Sequence, residues 1–531
     1  MIFLLSLLSA LPSHAGELRD AALREVDSEQ NFFQAIYAPA DLKKTLFGWD
    51  LNAEADRARA AIRDAADGDL LAYQRAFRDF FRSAHDYHVR IVFSDPESSS
   101  LPFRVRSAAG RYFVSEIDPN ASIPLAVGDE ILTFAGQPVD AAVQAVRGTL
   151  PTAGRAASDQ ALAEIALTAR SKAKLLDVPQ GDVAVTAVRG ATGDRFDTTL
   201  TWHHVAPQSP LFVEHLVPEI RHDTPFPGDG GSLSPALGSR NGPLPNLGPI
   251  AWQAPDSALF RAYEFTIGDR KIGYVRVPDF NGDRAHVKEF ADLMARFERE
   301  TDSLVLDQLN NPGGQSYYLD ALASLLSPMP IPTAQFRSAI DSTRYADAAT
   351  ERDKLLHAHD VTDLQKALGA EDLNGFPVTM EFGATLARFD QFLADEWRAG
   401  RHVTRPHWRR VETIAPPEGA TPYSKPILLL ANELDFSCAD MFPALLQDRG
   451  RARIFGATTA GAGGNNDSID AFPNLLGIKS YSITVSSELR PDGSYLESSG
   501  VRPDLPYSLT ARDLQRNYAD YVGAVISALQ K

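Results

Sequence analysis

Beyond Tyr263 the chain alternates short apolar runs with stretches in which apolar residues recur every three or four positions, and this alternation constrains the fold more than any other feature. Lys271 to Val277, Ser303 to Leu309, Ile427 to Leu430 and Ala452 to Phe455 read as strands, whereas Ala285 to Arg299, Tyr317 to Leu326 and Ala439 to Leu446 read as helices. Strands interleaved with helices build an α/β core. A mostly helical insertion over about 332–417, charged at Glu351 to Lys354 and aromatic at Phe389, Phe392 and Trp397, interrupts the core as a lid or packing element. Ala511 to Leu529 reads as one terminal amphipathic helix.

A chain of 531 residues exceeds what one hydrophobic core holds, so two or three domains are expected. The region 16–98 has helical spacing, clearest from Ala58 to Phe81, and 99–205 changes to alternating strands. Within the latter, Arg104 to Val114 and the run Gly128-Asp129-Glu130-Ile131-Leu132 with Gly136 beyond it resemble a PDZ-type domain, whose edge strand can hold an extended peptide. The segment 206–258 is dense in Pro, Gly, Ser and Asn and reads as a linker or an inhibitory segment, and 259–531 carries the α/β core. Met1 to Leu11 is apolar and is followed by small residues at Ser13 and Ala15, the pattern of a signal peptide over 1–15 and of a secreted or periplasmic protein.

The net charge of -17 repels phosphate backbones, so nucleic-acid binding is disfavoured. No later stretch is apolar enough for stable membrane insertion. His85 and His88 lie three apart without a His-Glu-x-x-His or a cysteine pair to support them, so no metal site is expected. Cys438 is the only cysteine and has no intrachain partner.

Ser437 sits where the apolar strand Pro426 to Leu430 gives way, through Asn432 to Phe436, to a helical pattern. A serine at such a junction is an ordinary helix cap, but its hydroxyl can also face solvent while the first free helix N–H groups point at whatever reacts with it. The company it keeps decides between these readings. Asp307-Gln308-Leu309-Asn310-Asn311-Pro312-Gly313-Gly314, Phe436-Ser437-Cys438-Ala439-Asp440, Gln447-Asp448 with Gly450-Arg451-Ala452, and the glycine-rich loop at Gly461 resemble, in order and spacing, the S41 peptidases.

In the processing-protease branch of that family a lysine in the glycine-rich loop is the general base, and Ala462 stands in the matching position here. The resemblance therefore falls to the histidine-based branch, which includes tricorn and the chlamydial protease-like activity factor. It implies His88 as the base, within His85-Asp86-Tyr87-His88-Val89-Arg90-Ile91, and Glu497, ahead of Gly500-Val501-Arg502-Pro503, as the acid. A neutral imidazole can take a serine proton near pH 7. The acid–base link is left as direct, through the Tyr87 phenol, or through water. Gly313 or Gly314, with Cys438, would supply oxyanion N–H groups.

The resemblance further implies a crotonase- or ClpP-like catalytic domain, action on protein or peptide substrates without a cofactor, a homodimer, and self-cleavage in the 206–258 segment. The reading is thus a serine endopeptidase with a Ser437, His88, Glu497 triad. Its rivals are a catalytically silent peptide or lipid binder on the same fold, and an esterase using the same triad.

Overall fold

The computed structural model describes residues 14–206, 237–409 and 411–530. Its centre is a seven-stranded sheet in which Ile250–Gln253, Ala262–Ile267 and Arg270–Arg276 pair antiparallel. Ser303–Asp307, Ile427–Ala431, Ala452–Gly456 and Leu505–Pro506 continue it in parallel register from Arg270–Arg276. The four inner strands and the helices Arg284–Glu300, Ser316–Ser324 and Cys438–Asp448 follow the sequence expectation closely. Ile250–Gln253, from the segment read as a linker, supplies an edge strand instead.

The strand Ser303–Asp307 is wholly buried, and its exit is tied down by charge. Arg276 donates to Asp307 at 3.1 Å and to the Leu309 carbonyl at 2.9 Å, while the Tyr274 hydroxyl donates to Asp307 at 2.5 Å. A buried ion pair of this kind repays its desolvation only when its remaining hydrogen-bonding capacity is met, as it is here.

The N-terminal region forms the helices His14–Ile36, Ala40–Phe47, Leu51–Asp64 and Leu70–Arg82. Their apolar faces share one cluster, including Phe33, Trp49, Phe77 and Phe81, with Ile478 and Ile483 of the C-terminal half. The strand Arg90–Phe93 pairs antiparallel with Ile478–Thr484, so the region bearing His88 is built into the C-terminal half. His14 and Ala15 open the first helix; residues 1–13 of the expected signal peptide lie outside the described residues.

The next unit is a six-stranded sheet with helices Val139–Arg147 and Ala156–Thr168, as the PDZ-type pattern predicts. Its Gly-Asp element has a physical reason. Gly128 has φ of 91° and a Cβ there would come 3.0 Å from the Gln515 carbonyl, while buried Asp129 accepts from the N–H groups of Ala126 and Gly190. The insertion holds the helices Ser342–Leu356, Val361–Leu368 and Met380–Arg398.

The terminal helix is two helices, Ala511–Gln515 and Ala519–Leu529, rather than one. Asn517 and Tyr518 adopt φ of 51° and 62°, and the Asp513 carboxylate, which also caps with Thr510, accepts from the Tyr521 N–H at 2.7 Å. An amphipathic period persists across such a break, which is why spacing alone does not reveal it.

Candidate active site

Three neighbouring parallel strands release their chain at their carboxyl ends into the three motif loops, the usual place for a site on an open α/β sheet. Ser303–Asp307 leads to Gly313 and Gly314, Ile427–Ala431 to Ser437, and Ala452–Gly456 to the Gly461 loop.

Ser437 is partly exposed and immediately precedes the helix Cys438–Asp448, with φ of 57° and ψ of -118°. That backbone is costly for a residue with a Cβ, and such strain persists where the surroundings over-determine it. They do so here. A Cβ on Gly313 would lie 2.7 Å from the Ser437 Cβ and 2.6 Å from the Phe436 carbonyl, so only glycine fits at φ of 95°. Phe436 donates its N–H to the Asn311 carbonyl at 2.9 Å, and buried Asp435 accepts from the N–H groups of Asn311 and Asn432.

The helix that follows contains Pro443, which cannot donate to the carbonyl of Ala439. Gln308 supplies the missing partner through Nε2 at 2.7 Å, and the same amide reaches Asp435 at 3.1 Å. Asp440, which closes the Phe436-Ser437-Cys438-Ala439-Asp440 motif, accepts from the N–H groups of Gly461 and Ala462 at 2.8 and 2.9 Å and from the Thr459 hydroxyl. It locks the glycine-rich loop onto the serine helix. That loop in turn backs the acid: a Cβ on Gly463 would lie 2.4 Å from the Glu497 N.

Of the two glycines considered for the oxyanion, Gly313 spends its N–H on the Asn311 side chain at 2.8 Å. The Gly314 N–H has no acceptor among the described residues, and its carbonyl accepts from the Cys438 thiol at 3.1 Å. Cys438 is buried as a packing residue at the start of the helix.

His88 is buried, and a ring nitrogen of His88 and a carboxylate oxygen each of Asp86 and Glu497 lie within 4.8 Å of one another. Asp86 accepts from the His88 backbone N–H at 2.9 Å, from Thr484 at 2.7 Å and from the Tyr37 hydroxyl at 3.1 Å. The Ser482 hydroxyl donates to the His88 carbonyl. Burial lowers the imidazole to about 4, with Asp86 opposing, so it is neutral at pH 7. Burial raises the Glu497 carboxyl to about 8; Asp86 adds to this and Lys43 opposes it. His88 Nδ1 and Glu497 Oε2 are buried with no hydrogen-bond partner among the described atoms.

Tyr87 does not make the phenolic link considered above. Its hydroxyl donates to Asp159 of the PDZ-type unit at 2.6 Å, so its proton is committed away from Glu497. Among the described residues no hydrogen bond joins the Ser437 hydroxyl to His88. The flanking residues bring the two segments together, since Tyr87 packs edge to face on Phe436 with ring centroids 5.2 Å apart.

Sequence reasoning missed Lys43. Its ammonium, fully buried, donates to Glu497 Oε1 at 2.5 Å, to the His85 carbonyl at 2.6 Å and to the Ser498 hydroxyl at 2.7 Å. Two acids and a histidine could in principle hold a cation, but Lys43 already occupies the cationic position beside Glu497. No motif marks it, since its partner is 454 residues away.

Comparison with known proteins completes this picture. The family model "Peptidase family S41" matches residues 271–507, and a PDZ domain model matches 97–209. A protein of Chlamydia pneumoniae is 31% identical over 568 residues, covering 96% of this chain and 89% of its own length. The chain belongs to peptidase family S41. This S41 chain is a serine-type peptidase, which decides against the silent-binder reading, and its substrates are proteins or peptides. An uncharacterized protein of Chlamydia muridarum is 28% identical over 592 residues, covering 99% of this chain and 95% of its own. The solved structure of mature CPAF complexed with lactacystin is 29% identical and covers 97% of this chain and 99% of its own, with a TM-score of 0.84. No helix among the described residues is long and apolar enough to cross a membrane.

Proposed function

We propose that this S41 peptidase cuts peptide bonds through a triad of Ser437, His88 and Glu497. The observation that carries the reading is the strained Ser437 at the mouth of its helix, held against Gly313 and coupled through Phe436 and Tyr87 to the segment bearing His88. The neutral imidazole takes the Ser437 proton as Oγ attacks the carbonyl carbon. It later returns that proton to the leaving amine, and water repeats the sequence to release the acyl group. Glu497 stabilises the imidazolium. Catalytic hydrogen bonds that are long in an unliganded site tighten around bound substrate, so the Ser437–His88 bond belongs to the complex. The N–H groups of Gly314 and Cys438 hold the oxyanion, and the spent N–H of Gly313 favours Gly314 in that role.

Self-cleavage in the 206–258 segment is part of the same reading. Leu237 packs against the cluster that holds Phe436, and Gly238 donates to the Asn310 carbonyl at 3.0 Å, so this part of the segment runs beside the catalytic loops. A solved relative is described as mature, which fits a chain that matures by cutting. Secretion or periplasmic export, from the Met1 to Leu11 pattern, and assembly as a homodimer complete the proposal.

The decisive experiment is fluorophosphonate labelling together with hydrolysis of a casein-type substrate. Ser437→Ala and His88→Ala should each lose about three orders of magnitude or more in rate. Lactacystin, held by the solved relative, is expected to compete with the label. Near-normal turnover by either variant refutes the triad, and cleavage of small esters alone would make the protein an esterase. Intact mass showing one uncut polypeptide in a fully active sample refutes self-cleavage.

A further inference from the structure

The buried cation beside Glu497 comes from the far end of the chain, on the helix Ala40–Phe47, whose buried residue it is. Its three acceptors lie on both sides of the proposed acid–base pair: the His85 carbonyl belongs to the His88 segment, and Glu497 Oε1 and Ser498 Oγ to the acid segment. The ammonium has three N–H donors, and the three acceptors match them one for one.

We propose that Lys43 is a positioning residue for hydrolysis: it holds Glu497 beside His88 and favours its carboxylate form, and thereby makes activity depend on the docking of the N-terminal helices. The inference rests on the proposed triad.

The charge balance around Glu497 gives the reason. Asp86 faces it from the His88 segment and Asp440 from the serine helix, and both disfavour its charge, while Tyr37, at the end of the first helix, donates to Asp86. Burial disfavours that charge still more. Lys43 is the one group among these that favours it by both attraction and hydrogen bond. Buried without that partner, the carboxyl holds its proton to still higher pH, and a neutral acid does not stabilise an imidazolium.

The geometry also explains why this Lys cannot serve as the base itself. A general base must reach the nucleophile, and the three N–H bonds of Lys43 are directed at the His85 carbonyl, Glu497 and Ser498 instead.

The test compares Lys43→Met, Glu497→Gln and the double variant in the full-length protein, reading kcat and KM for a peptide substrate across pH. Lys43→Met should lower kcat about tenfold or more at neutral pH with little change in KM, and should move the acid limb of the profile to higher pH by about a unit or more. Adding Lys43→Met to Glu497→Gln should cost almost nothing further, because the charge it supports is already gone. If Lys43→Met does not fold because it strands a buried carboxylate, the double variant removes both charges and should fold. The proposal is overturned if the acid limb stays in place, or if the double variant loses a further tenfold beyond Glu497→Gln. Ser437→Ala separates the two levels: an inactive Ser437→Ala beside an unshifted Lys43→Met profile sinks only the role of Lys43, whereas an active Ser437→Ala sinks the triad.

Discussion

Tyr87 and Phe436, the residues immediately before the proposed base and the proposed nucleophile, meet edge to face at 5.2 Å with an interplanar angle of 87°. The contact sets the spacing between two segments that are far apart in sequence. Tyr87→Phe keeps the ring and loses only the bond to Asp159, so its activity should stay within about threefold of the parent. Phe436→Ala removes the ring from a buried cluster and should cost about 3 kcal/mol in stability, with kcat falling about a hundredfold as Ser437 shifts. Denaturant unfolding and steady-state kinetics check both.

The clearance at Gly313 is smaller than a methyl group. Gly313→Ala would press a Cβ to within 2.7 Å of the Ser437 Cβ from a backbone at φ of 95° that only glycine adopts cheaply. The expected outcome is a folded protein with kcat reduced about a hundredfold. Loss of fluorophosphonate labelling at retained Tm is the measurement.

Activity should rise toward alkaline pH. Burial lowers His88 to about 4 and raises Glu497 to about 8, so the first proton to enter the pair as pH falls goes to Glu497. If the carboxylate form is the active one, kcat/KM should fall about tenfold per unit below about pH 8. A pH–rate profile flat from mildly acidic to neutral pH would contradict this.

Glu29 carries a cost unrelated to the site. It is 1% exposed, neither of its oxygens has a donor among the described atoms, and burial with Glu25 nearby raises it to about 9 from an ordinary 4.5. A carboxyl raised on folding stabilises the fold below the unfolded value and loses that contribution as pH rises through the folded one, so stability should decline between 4.5 and about 9. Glu29→Gln should raise stability at neutral pH by about 1–3 kcal/mol and show little gain near pH 4. Thermal unfolding across pH tests the slope.

Gln308 compensates for Pro443. Replacing it with Leu strands the Ala439 carbonyl in a buried setting and leaves Asp435 Oδ2 with the Asn432 N–H as its donor, at about 1–3 kcal/mol. Chemical denaturation should show the loss in the midpoint.

The motif loops and the strands that feed them were legible in the sequence because each depends on local spacing: period, glycine placement and the order of Asp307 to Gly314, Ser437 and Gly461. Local pattern also carried the Gly128-Asp129 turn. It failed at Asn517 and Tyr518, where a break leaves the apolar period intact. The electrostatics of the site could not be read that way. Which carbonyl Gln308 serves, which glycine amide is spent, where the Tyr87 proton goes and which lysine meets Glu497 are decided by burial and by contacts between distant segments. Burial strips away water, so each charge must find its partner wherever the fold brings one.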